Sequence, residues 1–273
     1  MYSMPSPTSK LVCIDSHFHI FPAGQSRPGA RYEPGYGASY EGWREAAAAV
    51  GVARGVVVQP SFLGTDNTRL CEELRQHADS LRGIAVVDPA CSPGELQELA
   101  ACGVRGVRLN LSGLSHDIPA WRSATATWDE MLRLGWHIEL LADVGELPGV
   151  LAQVPSEMPV VIDHMARPAA ASSSDATIAA LKKRAEQGAV HVKLSGAYRL
   201  GGLDPRAVAQ VLLGELGESS LLWGSDWPCT NHEQFAHYPQ LLGVLSEWVG
   251  EDVAAQALDV NAQSLYWEPL LSG

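Results

Sequence analysis

Eight short apolar runs rich in Val, Ile and Leu recur along this chain, and segments with helical spacing separate them. They are Leu11 to Phe21, Gly55 to Ser61, Gly83 to Pro89, Gly106 to Ser112, His137 to Asp143, Pro159 to Met165, Val190 to Gly196 and Leu221 to Asp226. A strand covered on both faces reads as a continuous apolar run, and a helix between successive strands implies parallel crossovers. The intervening segments carry helix start signals, such as Ser92 with Glu95 three residues on, Asp175, and Asp204 ahead of Pro205. This alternation predicts an α/β fold of the (β/α)8 TIM-barrel type. An open doubly wound sheet fits less well, because the chain offers neither a dinucleotide fingerprint nor a phosphate loop.

The expected layout is a disordered N-terminal tail over Met1–Lys10, polar and rich in Pro and Ser, followed by a single barrel domain over 11–273. No run approaches the length of a membrane span, and the tail has no apolar signal-peptide core. The five cysteines are scattered and lack a Cys-x-x-Cys pair, which suits free thiols in a reducing cytoplasm. A net charge of −12 argues against nucleic acid or an anionic membrane surface as a partner and leaves a small molecule.

A barrel gathers the carboxyl ends of its strands at one mouth. The first strand ends in His17 and His19, which two-residue spacing puts on one face, with Asp15 one step below. Other ends carry Ser61, Arg108 with Asn110, Asp163 with His164 and Arg167, Ser195 with Tyr198 and Arg199, and Asp226. Structural readings stand beside the functional ones. Asp226 ahead of Trp227 and Pro228 suits a turn, His164 a core histidine, and Arg167 a solvated loop charge. Lys193 and Glu139 alternate with apolar neighbours, as residues pointing into the barrel and pairing with each other or with Arg108 would. The long irregular segments Pro22–Ser39 and Leu111–Pro119 fall where barrel enzymes build their sites, and Tyr32, Tyr36 and Trp43 give the first of them material for an apolar lid.

Several segments together resemble the amidohydrolase superfamily, in the branch that includes 2-pyrone-4,6-dicarboxylate lactonase and sugar lactonases. They are Ile14-Asp15-Ser16-His17-Phe18-His19, Gln59-Pro60-Ser61, Gly106-Val107-Arg108-Leu109-Asn110, Ile162-Asp163-His164 through Arg167-Pro168, Val192-Lys193-Leu194-Ser195-Gly196 through Arg199, and Gly224-Ser225-Asp226-Trp227-Pro228. The resemblance implies a hydrolase in which Asp226 activates water, His17, His19 and His164 surround the reacting carbonyl, and Ser61, Arg108, Arg167 and Arg199 hold the substrate's carboxylates. The pyrone-dicarboxylate lactonases carry a further basic residue in the loop after the fourth-strand arginine, whereas here that loop reads Asn110-Leu111-Ser112-Gly113-Leu114-Ser115.

The branch favours a site with no required cofactor. The alternative is one divalent ion, zinc or manganese, on His17, His19, His164 and Asp226, since three nitrogens and one oxygen suit zinc. The expected activity is therefore hydrolysis of a small anionic lactone, 2-pyrone-4,6-dicarboxylate-like or a sugar-acid lactone. Two other readings compete with it: a metal-dependent decarboxylase of an aromatic acid, and a non-catalytic barrel that binds an anion.

Overall fold

The computed structural model describes residues 12–268, so the tail expected over Met1–Lys10 lies outside the described residues. Its eight strands are β1 (Cys13–Phe18), β2 (Val52–Val58), β3 (Leu81–Ala85), β4 (Val104–Asn110), β5 (His137–Leu141), β6 (Val160–Ile162), β7 (Val190–Leu194) and β8 (Leu221–Trp223). They form one parallel sheet in the order of the sequence, with helices between successive strands. A parallel bridge between Phe18 and Trp227 draws the two edges together, and His19 N donates to Trp227 O at 2.9 Å. The result is the (β/α)8 barrel that the alternation predicts.

Strand parity decides what lies inside. Ile14, Val56, Val58, Ile84, Val161 and Leu222 form an inner apolar cluster, and the C-terminal helix Val260–Tyr266 lays Ala262 and Tyr266 against it. Their neighbours along the strands, such as Val57, Ala85, Val160 and Val192, face the surrounding helices. The same alternation puts Arg108, Glu139 and Lys193 on inner positions, where all three are buried. The helix caps follow the sequence signals: Ser92 and Glu95 make a capping box, Asp175 accepts from Thr177 N and Ile178 N, and Asp204 accepts from Arg206 N.

The seam between β1 and β8 is tied by a side chain. The Asp15 carboxylate accepts from Ser225 N at 2.8 Å, Ser225 Oγ at 2.6 Å, Tyr238 Oη at 2.8 Å and Trp43 Nε1 at 3.0 Å. It therefore turns away from the mouth, and only His17 and His19 of the first-strand trio face the site. A side chain at Gly224 would put its Cβ 2.6 Å from Cβ of His17, so this approach of the two strands requires glycine. All five cysteines are free, and among the described residues no helix is long and apolar enough to cross a membrane.

Candidate active site

The mouth of the barrel brings His17, His19, His164 and Asp226 together. His17 Nε2 and His19 Nε2 lie 3.3 Å apart, and Asp226 Oδ1 is 3.5 Å from the first and 3.3 Å from the second. His164 Nε2 is 3.8 Å from Asp226 Oδ2. His164 and Asp226 reach these positions on unusual backbone. His164, Met165, Ala166 and Arg167 form a left-handed turn with φ between 45° and 60°, and Asp226 has φ 56°. Non-glycine residues adopt this region at a cost of about 1–2 kcal/mol each, and such strain clusters at functional sites.

The partners of each group fix its chemistry. Oδ2 of Asp226 accepts from Tyr198 Oη at 2.6 Å and from Arg199 Nη2 and Nε at 3.0 and 3.1 Å, which leaves Oδ1 for the histidines. Burial pushes the Asp226 carboxyl up, but His164 and Arg199 beside it outweigh this and hold it well below the usual carboxylate range. Burial lowers His164 to about 3 against the pull of Asp226 and Asp163, so its imidazole is neutral. His19 Nδ1 lies 2.7 Å from Val58 O, a pure acceptor, so a neutral His19 carries its proton there and presents a lone pair at Nε2.

His17 sits above a buried charge cluster. Its Nδ1 is 3.1 Å from Asp163 Oδ1 and 3.1 Å from Lys193 Nζ, and Lys193 also donates to Glu139. Arg108 donates through Nε and Nη2 to Asp163 Oδ2 at 3.0 and 2.9 Å and lies 3.6 Å from Glu139 Oε1. Glu139 thus pairs with Lys193 and lies beside Arg108, the structural reading of their alternation. Burial and the nearby Asp163 raise Glu139 to about 8, against Lys193 and Arg108, while Asp163 is held well below its ordinary value. Two adjacent carboxyls cannot both ionise freely, and the cations favour Asp163.

Above the cluster opens a cleft of about 200 Å³, lined by Arg108, Arg167 and Arg199 together with His19, His164 and Asp226. Ser61 stands beside it, where its Oγ accepts from Asn110 Nδ2 at 3.4 Å and from Arg31 Nη2 at 3.3 Å. The three expected arginines are already engaged: Arg108 by Asp163, Arg199 by Asp226, and Arg167 by Asp143 Oδ1 at 3.3 Å. Reasoning from sequence did not single out Arg31, Thr230 and Asn231, which also line the cleft. They lie in irregular segments, and the hydrophobic pattern that locates strand ends does not reach them.

A profile of the amidohydrolase family matches residues 14–266. The chain belongs to the amidohydrolase family. It is 30% identical to a 2-pyrone-4,6-dicarboxylate hydrolase of Comamonas testosteroni over 97% of this chain and 94% of the relative. A solved Pseudomonas putida structure assigned as a 2-pyrone-4,6-dicarboxylic acid hydrolase is 34% identical, with a TM-score of 0.82 over 94% of this chain and 98% of that one. Another, assigned likewise, from Acinetobacter baumannii with citric acid bound, is 31% identical with a TM-score of 0.82, covering 93% and 98%.

Among the described residues of this amidohydrolase, two groups have ligand atoms close enough to hold a metal ion: His17 with His164 and Asp226, and His17 with Glu139 and Asp163. In the second, the Lys193 ammonium already lies between His17 Nδ1 and the two carboxylates, where it supplies the positive charge an ion would bring. At the mouth, the spacings of 3.3 to 3.5 Å among His17 Nε2, His19 Nε2 and Asp226 Oδ1 fit one ion. Donors around a tetrahedral zinc with bonds of about 2.0–2.1 Å are separated by about 3.3–3.4 Å. The same contacts are also satisfied by protons alone: Lys193 donates to His17 Nδ1, His17 Nε2–H to His19 Nε2, and His19 Nδ1–H to Val58 O.

Proposed function

We propose that this amidohydrolase opens a carboxylated lactone by hydrolysis in the cytoplasmic breakdown of an aromatic or sugar acid, with 2-pyrone-4,6-dicarboxylate as the leading substrate, and that it needs no cofactor. The observation that carries this reading is the divided Asp226 carboxylate: Oδ2 is held by Tyr198 and Arg199 while Oδ1 is presented beside His17 and His19 in an arginine-lined cleft. The relatives assigned to the same hydrolysis, one of them with a tricarboxylic acid bound, support an anionic lactone.

In this reading Oδ1 of Asp226 takes a proton from water as the water oxygen bonds to the lactone carbonyl carbon. The carbonyl oxygen gains charge and needs a donor. His19 is poorly placed to provide one, because its Nδ1 is committed to Val58 O and its Nε2 faces Asp226 Oδ1. His164 can in the tautomer that accepts from Ser195 Oγ, 3.0 Å from Nδ1, because that tautomer carries its N–H on Nε2. Collapse of the tetrahedral adduct breaks the ring C–O bond, and the proton on Asp226 passes to the departing oxygen. Ser61, Arg108, Arg167 and Arg199 orient the carboxylates.

A carboxylate held below its ordinary pKa is a weak base, and it serves best where the leaving oxygen is a good one. Before it takes the proton from Asp226, the ring oxygen of a pyrone departs as an enolate and that of a sugar lactone as a more basic alkoxide, so the site suits the pyrone. One divalent ion on His17, His19, His164 and Asp226 would add polarisation of the carbonyl and a more acidic water.

The test is hydrolysis of a panel of carboxylated lactones by protein whose metal content has been measured and then stripped. Turnover is expected to persist after stripping, and Asp226→Asn should lower kcat by about 10²–10⁴-fold. Undiminished turnover in that variant would remove the base. Activity that returns only with zinc or manganese would assign the ion a role, release of carbon dioxide would assign a decarboxylase, and binding without ring opening a non-catalytic barrel.

A further inference from the structure

Of the four arginines that line the cleft, three already face a carboxylate of the protein. Arg31 does not. Its Nη2 donates only to neutral oxygens, Ser61 Oγ at 3.3 Å and the Asn110 carbonyl at 3.3 Å, and among the described residues no acidic group lies within 4.0 Å of it. Both distances are long for a guanidinium, and neither acceptor neutralises it. Arg31 is the cation of this cleft whose charge is left for a ligand.

Its position is fixed by the loop that carries it. Arg27 N donates to Phe62 O at 2.8 Å, Phe21 and Ala38 exchange backbone hydrogen bonds at 2.9 and 2.8 Å, and the Tyr32 ring meets Phe62 edge-on at 5.1 Å. The loop after β1 is thereby docked on the turn Ser61–Leu63 that follows β2. It delivers Arg31 to the last residue of β4, and a Cβ built at Gly113 would be 3.8 Å from Arg31 Nη1. The segment Asn110–Ser115 after β4 contains no basic residue of its own, and Arg31 brings a positive charge to that place from elsewhere in the chain.

We propose that Arg31 binds a carboxylate of the substrate and sets the preference for doubly charged over singly charged or neutral lactones, with Ser61 and the Asn110 carbonyl holding its guanidinium in the cleft. This rests on the carboxylated-lactone reading above and adds to it a residue that discriminates by charge. Arg31 lies outside the group that handles the reacting carbonyl, so its loss weakens binding and leaves the chemical step intact.

The experiment measures binding of pyridine-2,4-dicarboxylate, an unreactive planar diacid, to the full chain, to Arg31→Met and to Arg31→Lys by calorimetry. Turnover of 2-pyrone-4,6-dicarboxylate and of its dimethyl ester is followed in parallel. Arg31→Met should weaken the diacid by about 30- to 100-fold and raise KM for the dicarboxylate similarly, with kcat within about threefold. Arg31→Lys should recover part of the binding, and kcat/KM for the diester should not change. Equal diacid binding by Arg31→Met and the parent, or no binding by the parent, overturns the assignment. If the diacid binds in an Arg31-dependent way and no lactone opens, the assignment stands and the hydrolase reading falls.

Discussion

The ammonium of Lys193 lies 3.1 Å from Nδ1 of His17, the ring nitrogen opposite the one that faces Asp226. Asp163 Oδ1 stands at the same distance from the same nitrogen, so the ring has both a donor and an acceptor at hand. His17 can thus present either an N–H or a lone pair to the mouth of the barrel, and the fold accommodates both.

Removing Lys193 should expose how much the cluster depends on it. Lys193→Met leaves Glu139 and Asp163 sharing the single charge of Arg108 in a fully buried site, and should destabilise the fold by about 3–5 kcal/mol in urea unfolding. Replacing Glu139 as well, in Lys193→Met with Glu139→Met, should restore much of the stability. Parent-like stability in the single variant would mean that the cluster is not held by this charge.

The pH profile should lack an acid limb in the mildly acidic range. Asp226 is held well below its ordinary value of 3.8, and His164 titrates at about 3, so neither takes up a proton between neutrality and about pH 5. kcat/KM should be flat there and fall only below about pH 4. The same depression stabilises the folded state above the unfolded carboxyl's pKa and is lost as pH falls through the folded value. A limb centred near pH 6 would give the base to a histidine instead.

Ala166 offers a test of the strained turn. It is buried with φ 60°, where glycine is more comfortable than alanine. A buried alanine on ordinary helical or extended backbone loses stability on truncation to glycine, by about 0.5–1 kcal/mol. Here the sign should reverse, and Ala166→Gly should raise Tm by about 1–3 °C. A fall of several degrees would show that packing of the methyl group outweighs the backbone term.

The strands were legible because their inner and outer faces are both apolar, but several of them begin earlier than the apolar pattern. Arg54, Arg82 and Arg105 interrupt the pattern near the starts of β2, β3 and β4, yet each lies on its strand. The first two stack their guanidinium groups on the Trp267 ring, at 5.3 and 5.0 Å, so charge at the foot of the barrel is covered by an aromatic from the other end of the chain. The runs also outlast their strands, since Ser61 and His164 already belong to short helical turns at the mouth. The helical spacing over residues 120–134 and 252–266 runs through two helices in each case, Pro119–Arg122 with Thr125–Arg133 and Glu251–Leu258 with Val260–Tyr266.

The gathering of His17, His19, His164 and Asp226 followed from the barrel alone, because their positions at strand ends are a property of the sequence. Which carboxylate each arginine meets did not. Asp163 lies 55 residues from Arg108, and Asp226 lies 27 from Arg199, and these pairings depend on strand parity and loop path. Arg31 had no signal, since it lies in an irregular segment whose docking on Phe62 appears only in three dimensions.

The Asp15 tie to Ser225 joins residues 210 positions apart, at the line where the first strand meets the last. His17 and His19 stand on one side of that line and Asp226 on the other. No fragment that stops short of the eighth strand, however many strands it holds, owns both halves of the reaction centre. In the reading proposed above, a growing chain therefore has no base for its water until Asp226 has followed the eighth strand into place.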